Sequence, residues 1–398
     1  DQYEAILIKG NYPYAQLDLA DLCLIEAINF YKSEEYFVSR TSDFYSLQHP
    51  STLSELNEFI QTKFTLPNED AHHFITLQLY QQLLRKHTND INPSWLLTFN
   101  LERIEWAYEQ ARFPDKDSYY ENALKKATTS YPGTPAIAAY WYALASAEKR
   151  KGDSYQPFLD TTYRYALAHA KKIITDVQSN FDPTLPAAQK MQSLLSEITA
   201  PNWSIKTEHV NLINKKFRAR IAYKNIDTLY IRILKGRNDN KETEIWKNEF
   251  WKTLVSITPF TTITQTLPKT TDHQFHSVEI ALPELPSGEY ELLCSNDPMF
   301  KNDSASRLSH QRFIISNISY IKNKNDIFVL HRETGKPLAN VSVSILENVY
   351  NPTLKKYQLQ LLAKKITDKN GYLNFTEKKN YGAYKYIFET KNDRLSFN

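Results

Sequence analysis

Five sets of residues in this 398-residue chain have types and spacing that could do chemistry. His72-His73 places two imidazoles side by side on a helix, where neighbours point about 100° apart and share one metal ion poorly; the pair reads as solvated histidines. His273 and His276 lie three apart in or beside a strand, on opposite faces, with no Cys or second pair to complete a zinc site. Asp368, Asn370 and Gly371 resemble the start of a calcium loop but lack the acidic ligand further on, so a turn is expected. Glu102 and Glu105 share a helix without a second carboxylate pair or a facing histidine, and read as surface charges. Gly335-Lys336 lacks the upstream glycine of a phosphate loop, and no Gly-x-Ser-x-Gly or His-Glu-x-x-His occurs. The expectation is a non-enzymatic chain with no catalytic residue, cofactor ligand or metal ligand, and with its binding residues unassigned.

Two cysteines remain. Cys23 lies in an apolar helical run and Cys294 alternates with Leu292 and Tyr290 on a strand, so two separate buried thiols are expected. Formal charge is +3, from 48 basic and 45 acidic residues, a balance that gives no electrostatic footprint for nucleic acid. Short basic clusters such as Lys378-Lys379 read as solvated loops. No apolar run is long enough to span a membrane, and Asp1-Gln-Tyr-Glu has no signal-peptide character. Asn202, Asn302, Asn317, Asn340 and Asn374 open Asn-x-Ser/Thr triplets, relevant only in a eukaryotic secretory pathway.

The elements that must carry these residues change type near Ala200-Pro201. The first 200 residues hold 21 Ala and 3 Gly, the remainder 7 Ala and 5 Gly, a shift from helix to strand. Helical spacing is read over Ala15–Tyr31, from Ser51 through Ile60 (with Glu55 near capping-box distance), and over Asp70–Lys86, Ser94–Arg112, Ser118–Ser130, Pro135–Lys149, Thr161–Ser179 and Pro186–Ile198. Tyr131-Pro-Gly-Thr-Pro135-Ala and Phe181-Asp-Pro-Thr-Leu-Pro186-Ala echo one another: a helix ends at an aromatic, and a second proline starts the next. The pattern resembles tetratricopeptide-type pairing of irregular length and predicts an α-solenoid-like array over 1–200. Its concave face could bind a peptide, or the array could serve as a spacer.

From Trp203 the period becomes two. Phe217/Ala219/Ile221/Tyr223, Leu229/Ile231/Ile233, Val278/Ile280/Leu282 and Tyr290/Leu292/Cys294 each define one apolar strand face, giving a β-sandwich over 201–316. The polar insert 236–251 ends in Trp246, Phe250 and Trp251, expected to cover an open end of that sandwich. A second sandwich is expected over 317–398. In it, Thr334-Gly-Lys-Pro337 and Asp368-x-Asn-Gly371 make turns, and Val341, Val343, Ile345, Leu373 and Phe375 face inward.

Arg332-Glu-Thr-Gly-Lys-Pro-Leu-Ala-Asn-Val-x-Val, followed by Thr367-Asp-x-Asn-Gly-Tyr-x-x-Phe375, resembles a macroglobulin domain of bacterial alpha-2-macroglobulin-like proteins. Leu285-Pro-x-Gly-x-Tyr-x-Leu292 and the join Phe313-Ile-Ile-Ser-Asn-Ile-Ser-Tyr320 resemble the domain that usually precedes it, so the likeness is to the MG2/MG3 type and covers roughly the second half. The resemblance implies an N-terminal portion of a larger protein at the cell envelope, periplasmic or secreted. It implies a scaffold for protease trapping or for contact with a protein partner, with the bait and thioester devices in regions outside this chain. Neither cysteine has the thioester context. Two rivals are kept: a peptide- or glycan-binding module using the helical groove, and a polysaccharide lyase-like enzyme, which needs more helices than about 200 residues supply.

Overall fold

The computed structural model describes residues 17–33, 47–65, 72–236, 247–303, 306–353, 355–376 and 384–397. The chain divides into two compact units, Asp1–Thr199 with Thr271–His273, and Ala200–Thr270 with Gln274–Asn398. Trp246 and Lys378-Lys379 lie outside the described residues.

The described helices of the first unit are α1 (Leu19–Lys32), α2 (Leu56–Gln61), α3 (His72–His87), α4 (Ser94–Gln110), α5 (Lys116–Ser130), α6 (Ile137–Asp153), α7 (Ala166–Val177) and α8 (Pro186–Thr199). From α3 onward each helix packs on the next, α4 also meets α6, and α6 meets α8. That nearest-and-next-nearest packing is the solenoid arrangement. The pivot is α6. One side, with Ile137, Tyr140 and Leu144, joins the large core with α1 to α5, while Ala138 and Ala145 join a second core with α7 and α8. Small residues permit this double duty: a Cβ on Gly152 would meet Leu167 Cγ and Cδ2 at 2.7 Å.

The helix expected from Ser51 to Ile60 is two pieces. Pro50–Leu53 is a single 3₁₀ turn capped by the His49 ring, and α2 follows with no side-chain cap from Glu55. The break has a tertiary cause, because the carbonyls of Thr52 and Ser54 accept from the buried Arg103 guanidinium of α4. The helix expected over Thr161–Ser179 likewise shortens to α7 plus a 3₁₀ turn at Gln178–Asn180.

The second unit opens with β1 (Asn202–Thr207), β2 (Val210–Asn211), β3 (Phe217–Lys224), β4 (Thr228–Lys235), β5 (Thr261–Thr266), β6 (His276–Leu282), β7 (Gly288–Ser295) and β8 (Leu308–Ile315). Two sheets, β1-β3-β6 and β2-β8-β7-β4-β5, close over the inward residues that the alternation singles out. All pairings are antiparallel except β2 with β8. The aromatic insert corrects one expectation. Its end is a helix, α9 (Asn248–Ser256), and Phe250 and Leu254 cover the outer face of the five-stranded sheet against Leu234, Leu293 and Phe300, not an open end.

A second pair of sheets follows, β13-β10-β9 and β12-β11-β14-β15, from β9 (Ile318–Asn323), β10 (Asp326–His331), β11 (Ser342–Asn351), β12 (Lys356–Ile366), β13 (Tyr372–Asn374), β14 (Tyr384–Glu389) and β15 (Arg394–Phe397). Val341, Val343, Ile345, Leu373 and Phe375 are buried between them. Both expected turns are present. Gly335 takes φ +66°, and Gly371 takes φ +71° with its carbonyl accepting from Val329 N–H at 2.8 Å.

Candidate functional site

The residues first considered for chemistry are dispersed by the fold. His73 is buried, its ring edge-on to Trp106 at 5.5 Å, and His72 meets Tyr31 at 5.2 Å, so the reading of two solvated histidines is corrected: the apolar side of α3 carries His73 into the core. His273 has a left-handed backbone ahead of β6, and His276 opens β6 beside Tyr223. The Asp368 carboxylate accepts from the main-chain N–H groups of Asn370 and Tyr372, both at 2.8 Å, which is the turn. Cys294 is buried, its thiol pushed up to about 12 by desolvation, whereas Cys23 is exposed on α1, contrary to the expected pair of buried thiols. Among the described residues no group of three His, Cys, Asp or Glu is arranged to hold a metal ion. Glu102 and Glu105 are exposed, yet packing around α4 raises both carboxyls above their ordinary value.

Two places gather polar groups in a way that composition and spacing do not announce. The first is on the helical unit. Tyr108 of α4 and Tyr120 of α5 lie with ring centroids 4.5 Å apart. The Arg150 guanidinium of α6 sits 5.3 and 5.7 Å from those centroids, and Lys116 Nζ lies 4.5 Å from that of Tyr108. Tyr108 Oη donates to Asp117 Oδ1 at 2.6 Å. Beside this cluster is a cavity of about 170 Å³, also lined by Ser154 and Tyr163. Burial raises both phenols, Tyr120 to about 12, and burial lowers the Lys116 ammonium. The tyrosines therefore keep their protons near neutral pH and are no base; Tyr120 is buried in the core and Tyr108 half-buried.

The second place is the joint between the two pairs of sheets, where β8 hands over to β9 across only Ser316 and Asn317. Ser316 is fully buried, its N–H donating to Asn211 O at 2.9 Å and its Oγ accepting from Ile318 N–H at 3.0 Å. Asn317 is tied on three sides. Its N–H donates to Asp393 Oδ2 (2.8 Å), its Oδ1 accepts from Ile213 N–H (3.1 Å), and its carbonyl accepts from Arg332 N–H (2.6 Å). Asp393 Oδ1 also accepts from Ser287 Oγ at 2.9 Å, so the Pro286-Ser-Gly288 turn of one sandwich is bonded to the last turn of the next. Arg332 Nη2 donates to Ile318 O at 3.0 Å, and Lys215 pairs with Glu333. Val210 and Ile314 of the first sandwich are built into the second core, which makes the joint apolar as well as polar.

Fold and sites together define an assembly of modules, a helical unit followed by antiparallel, immunoglobulin-like sandwiches, and no described helix is long and apolar enough to cross a membrane. No family model matches the chain, and no match is found among curated proteins. Among solved structures it is similar to native alpha-2-macroglobulin from Escherichia coli spanning domains NIE-MG1, at 16% identity and TM-score 0.33, covering 50% of this chain and 97% of that one. It is also similar to the fragment spanning MG0-NIE-MG1, at 16% identity and TM-score 0.34 over 49% of this chain, of which it spans about two thirds (64%). Of the E. coli protein activated by porcine elastase it spans 21%, at 9% identity and TM-score 0.21.

Proposed function

We propose that the chain is a non-catalytic part of a larger alpha-2-macroglobulin-like protein at the bacterial cell envelope, scaffolding a protease trap or a protein contact. The proteases or other protein partners would be engaged through regions outside these residues. The single observation that supports this reading most is the Ser316-Asn317 joint. A module that only has to hold its neighbours in register needs fixed junctions, and here side chains from both sandwiches converge on two linking residues and share one core. Asn317 and Arg332 of the joint also stand within the motifs that carry the macroglobulin resemblance.

An antibody raised against this chain, used on extracts of the source cells, tests the reading. It should detect a polypeptide several times larger than 46.4 kDa, in the envelope or secreted fraction. A single cytosolic species of about the mass of this chain would contradict it.

A second reading rests on the Tyr108–Tyr120–Arg150 cluster. The half-buried Tyr108 ring beside the exposed Arg150 guanidinium can hold a peptide or sugar surface. On that reading, peptide and glycan arrays give hits that Arg150→Ala removes. A lyase would instead raise ultraviolet absorbance as unsaturated ends form on heparin, chondroitin or alginate.

A further inference from the structure

β11 and β12 form a hairpin paired from Ser342↔Ile366 to Asn351↔Lys356, and among the described residues β14 pairs with Ser342–Glu347 of β11. Among the described residues β12 pairs with β11 only and forms the sheet margin, so the alternate N–H and C=O groups along its outer side have no strand partner. Long margins are ordinarily closed by charge, proline or a bulge. This one has a bulge where the register steps from Leu346↔Leu361 to Ile345↔Ala363, yet the row beside it stays apolar. Tyr357 and Leu361 are 66% and 61% exposed, Leu359 and Tyr350 are exposed as well, and the Tyr350 and Tyr357 rings meet edge-on at 5.3 Å.

Charge says what fits. Lys355 and Lys356 stand at one end of β12 and Lys364 and Lys365 at the other. A second copy laid antiparallel about Leu361, the middle of the strand, would bring Lys365 of one strand diagonally beside Lys355 of the other, and like charges brought together across strands oppose pairing. Residues 317–398 hold 14 Lys and Arg against 7 Asp and Glu, net +7 in a chain of net +3, so the preceding residues carry net −4. We propose that β12 takes an extended peptide strand of another protein, acidic at both ends and β-branched or aromatic between, as an added strand of the second sandwich. The inference stands apart from the scaffold reading. Its test measures a binding preference, whereas that reading turns on the size and location of the parent protein.

The probe is a fluorescein-labelled peptide, Glu-Glu-Val-Thr-Val-Thr-Val-Glu-Glu, titrated against the full chain with its Lys-ended counterpart as control. The acidic probe should bind saturably, at least about fivefold tighter than the control, the discrimination expected of opposed cross-strand charges. It should also slow amide exchange across 357–366. Leu359→Asp should weaken binding several-fold at unchanged thermal stability. Lys364→Glu with Lys355→Glu should narrow or reverse the preference; Lys365 is left in place because its Nζ donates to Asn374 O at 2.7 Å. Absence of saturable binding, equal binding of both probes, or protection that falls on the helical unit would overturn the proposal.

Discussion

Arg103 shows most sharply what one residue contributes. Its side chain is fully buried with no carboxylate beside it among the described residues. Its fork donates to Thr52 O and Ser54 O at 3.1 Å and to Asn100 Oδ1 at 2.6 Å, and the guanidinium lies 4.0 Å from the Phe59 ring centroid. Burial pushes its pKa down to about 9. Truncation would strand buried carbonyls and open a cavity, so Arg103→Ala should cost the helical unit about 3 kcal/mol or more, read from its urea midpoint. Arg103→Lys should recover little, since a point ammonium cannot reach the same set of acceptors. Glu105 behaves in the opposite sense. Desolvation first, then the neighbouring Glu109, raises its carboxyl above 4.5 in the folded state. The folded chain therefore binds that proton more tightly than the unfolded chain, and stability falls as pH rises from the ordinary glutamate range through the raised value. Glu105→Gln should accordingly raise the melting temperature at pH 7 and have no such effect near pH 3. The gain should stay below about 1 kcal/mol because the side chain still meets water.

Two glycines of similar backbone test the turns as elements. At Gly335, φ is +66° and a Cβ would meet nothing within 4 Å; at Gly371, φ is +71° and a Cβ would fall 2.4 Å from Val329 O. Gly335→Ala should therefore cost about 1–2 kcal/mol, the left-handed penalty alone. Gly371→Ala should cost more, about 3 kcal/mol, because strain and backbone overlap add; equilibrium urea unfolding of the two variants gives the comparison. These turns and the inward faces of β3, β4, β7 and β11 were legible in the sequence, since a period of two and a glycine at positive φ are local signals. The Ser51–Ile60 region was not, because the break depends on Arg103, some fifty positions away. Nor was α9. Its binding surface is the second apolar face of the five-stranded sheet, and its only trace is Leu234 and Leu293 standing beside the inward Ile233 and Leu292. His73 was misjudged because charge type was weighed above its place on the apolar side of α3. The Tyr108–Tyr120–Arg150 cluster draws on three helices, and no spacing within one helix reveals it.

At the scale of the whole molecule, function is argued from how modules are joined and not from a reacting centre. The joint at Ser316-Asn317 carries that argument, with Asp393 as its keystone: one carboxylate accepts from Asn317 N–H on the linker and from Ser287 Oγ across the boundary. Cutting these bonds should leave each sandwich folded around its own core while loosening their coupling. Hydrogen exchange followed by mass spectrometry along a urea titration reads both sandwiches at once. In the unaltered chain, peptides from β3 and β7 and peptides from β11 and β14 should lose protection at the same urea concentration. In Asp393→Ala the second set should open first, at lower urea. Separate opening in the unaltered chain, or a coincident transition that the substitution leaves in place, would contradict a welded pair of sandwiches and with it the scaffold account.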